Sequence, residues 1–474
     1  MESKSSPSEA AMESFIAQSP DLHEPALVKP VPGLPTLPDL KADAQARKAQ
    51  GLPTIDQSAG DIAALNQPMN PDFIEYRETL RPQLVDQYGK PAFPEANGEV
   101  HGYPSNYKRE YPIGIEKLAK GWGIEKTPFL GLQTVSGRNV LDLVFRGLKA
   151  NALKQDGTKE PAIILDPMAW SGYKPLAGEL GIKLLNGPTV EGHSLSQSEE
   201  GFRSSLEMIR DKKLNPAALV TVVPSNPTGL GITKEELIKL ATAAAEEKVP
   251  LLIDAFYSPL HPEGHKASVH IGELEKELPP EILKYIGIIV GETKVSDSQK
   301  KTGSFLWMAP KGHDDLAKSL LQIARKRMQD TNTYPRPDEV LTSIALHEYP
   351  DGIHAAMGPR WEALQGARQG IKKVFDELGL PLTIGSSFYG TAALVDPSGE
   401  SLIRDKEGRP IEGTEETIKA LTNDHGIVGA PGLMFRSSPS AGKTVRLTAT
   451  ATPQDIEQLK NVFGEMLEKA VTSS

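Results

Sequence analysis

Residues 217–229 read Ala-Ala-Leu-Val-Thr-Val-Val-Pro-Ser-Asn-Pro-Thr-Gly, a nearly continuous apolar run that ends in a polar turn. A strand without alternating polar residues is buried on both faces, which is typical of a parallel sheet covered by helices. Asn-Pro-Thr-Gly has the composition of a turn. The stretch therefore predicts a fully buried strand that delivers Asn226 to its carboxyl end.

Segments of the same kind flank this one. Further short apolar runs predict strands at 162–165, 249–253, 286–290 and 305–308. Helical patterns lie among them, at 139–153, 202–209 and 233–248. Strands that alternate with helices predict an α/β fold, with a mostly parallel sheet, right-handed crossovers and helices on its faces.

The pattern changes after about residue 345. Helical patterns at 360–378, 414–422 and 452–471 and short strands at 382–384 and 392–395 predict a smaller α+β C-terminal domain. We expect three parts. Residues 1–60 form a flexible N-terminal segment or arm, residues 61–345 form a large domain whose N-terminal part contributes to the small domain, and residues 346–474 form the small domain. The first ~20 residues are expected to be disordered, because so few apolar groups cannot offset the entropy lost on ordering.

Composition excludes several classes of protein. The 474 residues contain no cysteine, which excludes disulfides, thiolate nucleophiles and cysteine-ligated zinc. A net charge of −10 argues against nucleic acid as a partner, and no apolar stretch is long enough to span a bilayer. The N-terminus lacks the layout of a signal peptide. We therefore expect a cytoplasmic protein with small-molecule partners and no metal, nucleic acid or membrane.

Polar side chains follow three of the predicted strands. Asn226 follows the strand at 217–223, Asp254 and Tyr257 follow the next, and Lys294 follows the run that ends at Val290. Ligands of α/β sheets bind outside the carboxyl ends of the strands. The sequence thus predicts a site with an amide, a carboxylate, a phenol and an amine.

These groups fit one cofactor. A strand-end lysine with a partly neutral amine can form a Schiff base with an aldehyde. A buried carboxylate such as Asp254 needs a cation, and a protonated pyridine nitrogen is one. Asn226 and Tyr257 can donate to a phenolate oxygen. The combination indicates pyridoxal 5′-phosphate held by Lys294.

Each residue alone has a plainer interpretation. Lys294 could be a solvated surface charge, with Lys300 and Lys301 as competitors for its role. Asp254 could cap a loop, and Asn-Pro-Thr-Gly could be only a turn. The combination at the ends of three separate strands favours the site.

Over roughly residues 60–470 the chain resembles the class I/II aminotransferases, the fold-type I pyridoxal-phosphate enzymes related to aspartate aminotransferase. The resemblance rests on Asn-Pro-x-Gly, then Asp-x-x-Tyr, then a strand-end lysine. It implies that Asp254, Tyr257 and Lys294 are catalytic, that Asn226 also contacts the substrate, and that Thr293 contacts the cofactor.

The resemblance extends to the phosphate and the stacking residue. Ser136, Gly137 and Arg138 match the family loop that opens a helix, whose backbone N–H groups would hold the phosphate. Trp170 resembles the aromatic residue stacked on the pyridine ring, although a core tryptophan is an equally good interpretation. Lys301 is the expected substitute for a family arginine that pairs with the phosphate.

Two further residues concern the substrate and the assembly. Arg446 resembles the arginine that clamps the substrate α-carboxylate, with a snorkelling surface arginine as the alternative. Tyr111 resembles the tyrosine that reaches the phosphate of the neighbouring subunit. The resemblance therefore implies a homodimer with shared active sites.

The chain departs from the family at three places. Gly291 stands where the family has a phosphate-contacting serine, and Lys300 and Lys301 stand where it has arginine. Ser171-Gly172-Tyr173 replaces a polar Asn-His pair. The specificity for the side chain of the substrate is open. The candidates for an arginine that recognises this side chain are Arg325, Arg327 and Arg336.

The leading expectation is an aminotransferase that acts on an α-amino acid and an oxo acid with ping-pong kinetics. Lys294 would act as general base and acid, and Asp254 would support the ring as an electron sink. The alternatives keep the cofactor and change the reaction, to a lyase, decarboxylase, γ-substituting enzyme or oxidase. A non-catalytic ligand-sensing module is a remote alternative.

Overall fold

The structure is a computed structural model that describes residues 5–58, 62–88, 112–190, 195–264, 268–295, 302–405, 407–411 and 414–473. None of the helices in these ranges is long and apolar enough to cross a membrane.

Strands form three sheets in the described ranges. In chain order the strands are β1 Ala26–Leu27, β2 Ile55–Asp56, β3 Phe129–Thr134, β4 Pro161–Leu165, β5 Lys183–Asn186, β6 Asn215–Val222, β7 Leu251–Asp254, β8 Ile286–Val290, β9 Gly303–Met308, β10 Leu382–Ile384, β11 Tyr389–Ala393, β12 Ile427–Val428, β13 Ala430–Pro431 and β14 Thr444–Thr448. The largest sheet has the order β1-β5-β4-β6-β7-β8-β9-β3.

Helices account for most of the remaining regular structure. They are α1 Pro7–Ala17, α2 Leu37–Ala49, α3 Pro71–Tyr88, α4 Pro112–Gly121, α5 Gly137–Gln155, α6 Tyr173–Leu180, α7 Glu199–Asp211, α8 Lys234–Glu246, α9 Ile271–Glu277, α10 Pro280–Leu283, α11 Asp315–Thr331, α12 Pro337–Glu348, α13 Gly352–Met357, α14 Pro359–Leu378, α15 Thr414–Asn423, α16 Pro439–Gly442 and α17 Pro453–Ser473.

The large sheet confirms the predicted α/β class. Strands β5, β4, β6, β7 and β8 pair in parallel, while β1, β9 and β3 pair antiparallel to their neighbours. Alternate residues of a strand enter opposite cores: Leu252 lies in one apolar cluster, and Leu251 and Ile253 lie in the other. Both faces are therefore buried, which is why the strands read as continuous apolar runs.

This topology brings the polar strand ends together. Strands β6, β7 and β8 are neighbours, with Val222 opposite Asp254 and Asp254 opposite Ile289. Asn226, Asp254 and Lys294 therefore leave the sheet at the same edge, where ligands of such sheets bind.

The C-terminal part confirms the smaller α+β unit. Strands β10, β11, β14 and β13 form an antiparallel sheet, and α14 packs on α17 through Phe375 and Phe463, whose ring centroids are 4.9 Å apart. Strand β12 pairs in parallel with β2, which joins the N-terminal segment to this unit. The domain boundaries at 60/61 and 345/346 stay predictions.

The expected disorder of the first residues is wrong for 7–17. Helix α1 buries Met12, Phe15 and Ile16, and its Glu9 carboxylate lies 2.8 Å from Lys372 Nζ. The segment contains few apolar residues, so its mean composition predicts disorder. These three apolar residues, however, lie on one side of a helix and pack against the rest of the protein.

A buried arginine also fastens the N-terminal segment. Arg436 is fully buried and donates hydrogen bonds to the carbonyl oxygens of Asp21 (2.9 Å), Glu24 (2.5 Å), Pro167 (3.0 Å) and Gly187 (2.6 Å). Two of these carbonyls lie just beyond β4 and β5. The guanidinium group thus ties residues 21–24 to the edge of the large sheet that carries the polar strand ends.

Candidate active site

A cavity of about 920 Å³ lies at this edge of the large sheet. Its walls come from the large sheet, the small sheet and the N-terminal segment. The residues that line it are Thr36, Leu37, Pro38, Ser58, Ser136, Gly137, Arg138, Leu141, Trp170, Ser171, Gly172, Pro175, Val222, Asp254, Phe256, Tyr257, Thr293, Lys294, Tyr389, Ala430, Met434, Phe435 and Arg446. The cavity is therefore built from parts of the chain that are far apart in sequence.

Lys294 is half-buried, and its Nζ lies 5.5 Å from the ring centroid of Tyr257. The segment that carries it is anchored by Glu292, a buried carboxylate. Glu292 accepts hydrogen bonds from Ser343 Oγ (2.7 Å) and Thr302 Oγ1, and it lies 3.3 Å from His347 Nε2. Burial opposes ionisation, but these contacts hold the pKa of Glu292 below its usual range. These contacts attach the segment that contains Lys294 to helix α12, on which Ser343 and His347 lie.

Asp254 is the acidic side chain among the described residues that line the cavity, and it is almost fully buried. Its Oδ2 accepts a hydrogen bond from Tyr173 Oη at 2.5 Å, and its Oδ1 accepts a longer one from the Phe256 N–H at 3.4 Å. Burial raises the pKa of Asp254 to about 6, although the Tyr173 hydrogen bond acts in the opposite direction.

Sequence reasoning did not include Tyr173 among the site residues. Its ring is fully buried, 5.9 Å from the Phe145 centroid in a stacked arrangement and 5.4 Å from the Trp170 centroid in an edge arrangement. The available signal was the departure at Ser171-Gly172-Tyr173, where the family has a polar pair. The structure places the phenol of Tyr173 on Asp254, where it orients the carboxylate.

Replacing Tyr173 by phenylalanine is expected to move the acidic limb of the pH profile upward by about one to two pH units. The hydrogen bond favours the charged carboxylate, so its loss raises the pKa of Asp254 above about 6. Asp254 then becomes neutral at a higher pH. The pH dependence of pyridoxal 5′-phosphate binding to the apoprotein, and of kcat/KM, measures the change.

A matched control is Tyr76→Phe, which removes a phenol that donates to the Glu348 carbonyl at 3.0 Å, outside the cavity lining. It is expected to leave the limb unchanged. An acidic limb at the same pH in Tyr173→Phe and the unaltered protein would contradict the assigned role.

A chain of polar groups connects the two sheets. Asn226 Nδ2 donates to Tyr257 Oη at 3.1 Å, and Arg446 Nη1 donates to Asn226 Oδ1 at 3.1 Å. The hydroxyl groups of Tyr257 and Tyr389 are 3.4 Å apart. Burial raises the pKa of Tyr257 well above its ordinary value, so its hydroxyl stays protonated. Tyr389 was not singled out from the sequence, because its position in the small sheet carries no local signal.

Arg446 is buried between two aromatic rings. Its guanidinium carbon lies 4.4 Å from the Tyr389 centroid and 5.3 Å from the Phe435 centroid. One nitrogen, Nη2, contacts the Ser58 carbonyl oxygen, while Nε has no hydrogen-bond partner among the described residues. A buried, cavity-lining guanidinium with a free donor is suited to bind a carboxylate.

The N-terminus of α5 forms another wall. Ser136 caps this 19-residue helix, and its Oγ accepts from the Asn139 N–H at 3.2 Å. The first N–H groups of a helix have no partner within it and carry partial positive charge, so they favour an anion. Arg138 lies beside them, with its guanidinium carbon 5.9 Å from the Trp170 centroid.

The structure thus brings most of the predicted site residues together. Nine of them line the cavity: Ser136, Gly137, Arg138, Trp170, Asp254, Tyr257, Thr293, Lys294 and Arg446. Asn226 lies behind the wall and bonds to two of these residues. Tyr111, Lys300 and Lys301 lie outside the described residues.

The three arginines considered for side-chain specificity lie elsewhere. Arg325 lines a separate groove with Leu130 and Lys318, Arg327 Nε lies 3.4 Å from Asp142, and Arg336 precedes α12. Among the described residues that line the cavity, the cations are Arg138, Lys294 and Arg446.

The donor set of the cavity fits pyridoxal 5′-phosphate. A lysine amine suits the aldehyde, a buried carboxylate suits a protonated ring nitrogen, and the Asn226–Tyr257 pair suits the phenolic oxygen. The end of α5 with Arg138 suits the phosphate. The cavity therefore offers a chemically matched group for each polar part of the cofactor.

Comparisons with known proteins identify the family of the chain. The family model "Aminotransferase class I and II" matches residues 143–463, more than half of the chain. Aspartate aminotransferase of Bacillus subtilis is 26% identical over 351 residues, which cover 73% of this chain and 79% of the relative. Aromatic-amino-acid aminotransferase 2 of Thermococcus litoralis is 31% identical over 179 residues, 37% of this chain and 42% of the relative.

Among solved structures, the aspartate aminotransferase of Rhizobium meliloti superposes with a TM-score of 0.68 and 14% sequence identity. The superposition covers 93% of this chain and 99% of the Rhizobium meliloti chain. At this identity the likeness concerns the fold alone. The family match carries the assignment: the chain belongs to the aminotransferase class I and II family and is a pyridoxal 5′-phosphate-dependent aminotransferase.

Proposed function

We propose that the cavity described above is where transamination takes place, with Lys294 as the residue that holds the cofactor and moves the proton. The observation that carries this proposal is the arrangement of strands β6, β7 and β8. These neighbours bring Asn226, Asp254 and Lys294 to one edge of the sheet, where Asp254 and Lys294 line the cavity and Asn226 donates a hydrogen bond to the cavity-lining Tyr257.

Each part of the cofactor has a residue to hold it. Lys294 would hold the aldehyde carbon, Asp254 the ring nitrogen, Asn226 and Tyr257 the phenolic oxygen, and Trp170 a face of the ring. The N–H groups of Gly137 and Arg138 would hold the phosphate. When bound, pyridoxal phosphate supplies an aldehyde and an electron-accepting ring that stabilises negative charge at the substrate Cα.

Lys294 Nζ would take the proton from the substrate Cα and deliver it to the C4′ carbon of the cofactor, acting first as base and then as acid. Its half-buried position beside Tyr257 keeps it within the cavity. Asp254, oriented by Tyr173, would keep a proton on the ring nitrogen as an ion-pair partner.

The substrate is proposed to be an α-amino acid whose α-carboxylate binds Arg446. Relatives of this chain are named for aspartate and for aromatic amino acids, and both kinds carry this carboxylate. Arg446 lines the cavity, and its Nη1 donates to Asn226 Oδ1 at 3.1 Å, so its guanidinium group lies beside the residues proposed to hold the cofactor. The homodimer, with Tyr111 reaching the neighbouring site, and the cytoplasmic location stay proposals that rest on the sequence.

Replacing Arg446 by alanine is expected to lower kcat/KM for amino acids by about 100-fold or more, since it removes the charged partner of a buried carboxylate. Arg446→Lys keeps the charge but loses the planar fork, so we expect an intermediate value. The control is a primary amine without a carboxylate, for which the unaltered protein and Arg446→Ala are expected to react at similar rates. A similar loss with that amine would refute the carboxylate role.

A single-turnover experiment tests the proposed reaction. The loaded protein is mixed with one amino acid and no oxo acid, and the products are quantified. We expect one equivalent of the matching oxo acid for each bound cofactor, with the amino group retained by the protein. A second oxo acid should then release that amino group as a new amino acid.

Steady-state rates with both substrates varied are expected to give parallel double-reciprocal lines, as in ping-pong kinetics. Release of ammonia, carbon dioxide or peroxide during the single turnover would overturn the proposal.

A further inference from the structure

The ring of Phe256 is wedged between two glycines of the cavity wall. A Cβ atom built on Gly137 would lie 2.7 Å from Phe256 Cζ, and one built on Gly291 would lie 2.1 Å from Phe256 Cε1. Real Cβ atoms do not approach other atoms so closely. The ring therefore fills the space between the first residue of α5 and the segment that carries Lys294.

A side chain at position 291 would be obstructed on a second side as well. The same Cβ atom would lie 2.6 Å from the backbone oxygen of Thr302, which cannot move aside as the end of a flexible side chain can. Gly291 stands where the family has a serine that contacts the phosphate. The ring of Phe256, which is buried and lines the cavity, occupies the volume that such a serine would need.

The wall of the cavity that is formed by the N-terminus of α5 carries groups that can bind an anion. Ser136 caps α5, its Oγ engages the Asn139 N–H, and the N–H groups of Gly137 and Arg138 precede the first intrahelical hydrogen bond, from Val140 N to Ser136 O. The guanidinium group of Arg138 adds a full positive charge on this side.

We propose that Phe256 takes the place of a phosphate-binding hydroxyl at position 291, so that the cofactor phosphate is held from the α5 side of the cavity. This inference rests on the placement of the cofactor proposed above. It explains why glycine, and not serine, stands three residues before Lys294: the aromatic ring overlaps a serine side chain there, and the Thr302 backbone oxygen crowds the same position on a second side.

The test exchanges the two residues singly and together, as Gly291→Ser, Phe256→Ala and the double variant. Each apoprotein is titrated with pyridoxal 5′-phosphate and with pyridoxal, which lacks the phosphate, and tryptophan fluorescence gives both dissociation constants. The ratio of the two constants isolates the contribution of the phosphate. The melting temperature of each apoprotein reports packing without any cofactor.

Gly291→Ser alone is expected to lower the melting temperature and to weaken pyridoxal 5′-phosphate binding at least about tenfold, because the added side chain overlaps the ring. In the double variant the ring no longer overlaps the serine side chain, and the Thr302 backbone oxygen is the one of these two close contacts that remains. We expect its melting temperature to exceed that of Gly291→Ser, and its preference for the phosphorylated compound to exceed that of the unaltered protein by about tenfold, the contribution of one hydrogen bond to a charged group.

Gly178→Ser is the matched control, since a Cβ there meets none of the described atoms within 4 Å apart from its chain neighbours and the backbone of its own helix. It should change neither the ratio nor the melting temperature appreciably. The proposal is overturned if the effects of the two single changes simply add, in melting temperature and in the ratio. If the unaltered protein binds neither compound while the melting temperatures still show coupling, the cofactor placement fails and the steric exclusion stands.

Discussion

Lys294→Ala is expected to lower kcat for transamination by at least about 10⁴-fold, the largest effect of any single change in this protein. The substitution removes the amine that we propose both holds the cofactor and moves the substrate proton. Lys294 is half-buried at the end of β8, and no other lysine lines the cavity among the described residues. Steady-state rates, and borohydride reduction of the loaded protein followed by peptide mass spectrometry, check the prediction.

Lys174 provides the matched control. It lies in α6, with Nζ 3.4 Å from the Leu433 carbonyl oxygen, and burial lowers its pKa to about 8. At pH 8 about half of its amine is neutral and able to react with an aldehyde. We expect Lys174→Ala to keep the cofactor label on residue 294 and to keep most of the activity. A label on Lys174 in the unaltered protein would refute the assignment of Lys294.

Asp254→Asn is expected to lower kcat/KM by about 10³-fold, because it replaces a buried charge with a neutral amide of nearly the same shape. The carboxylate is the cavity's acidic group, with Tyr173 on one oxygen and the Phe256 N–H on the other. An uncharged residue 254 cannot serve as the proposed ion-pair partner of the ring nitrogen, so cofactor affinity and rate should fall together. Titration of the apoprotein with pyridoxal 5′-phosphate and measurement of kcat separate the two effects.

Asp166→Asn is the control for the loss of a buried carboxyl group as such. Asp166 follows β4, accepts the Val222 N–H on Oδ2 at 2.9 Å, and is absent from the cavity lining. Burial raises its pKa to about 7, so it is partly neutral already. We expect less than a tenfold change for this variant. Equal losses in Asp166→Asn and Asp254→Asn would show that burial of charge, and not contact with the cofactor, causes the effect.

Local patterns in the sequence are sufficient to predict the large sheet and the residues proposed to hold the cofactor. Continuous apolar runs marked β6, β7 and β8, because buried parallel strands need apolar residues on both faces. The carboxyl ends of parallel neighbours meet at one edge, so Asn226, Asp254 and Lys294 could be placed in one site without knowing any contact between them. Helix α5 was similarly visible, since Ser136 and the apolar spacing after it are local signals.

The surroundings of these residues depend on how distant segments pack in the folded protein. The hydrogen bond of Tyr173 to Asp254 and that of Ser343 to Glu292 join residues 81 and 51 positions apart. The packing of α1 against the body and the insertion of Phe256 between Gly137 and Gly291 depend on side-chain volumes brought together by folding. Strand patterns and turns report local preferences, whereas such contacts arise from close packing between distant segments and leave no periodic trace in the sequence.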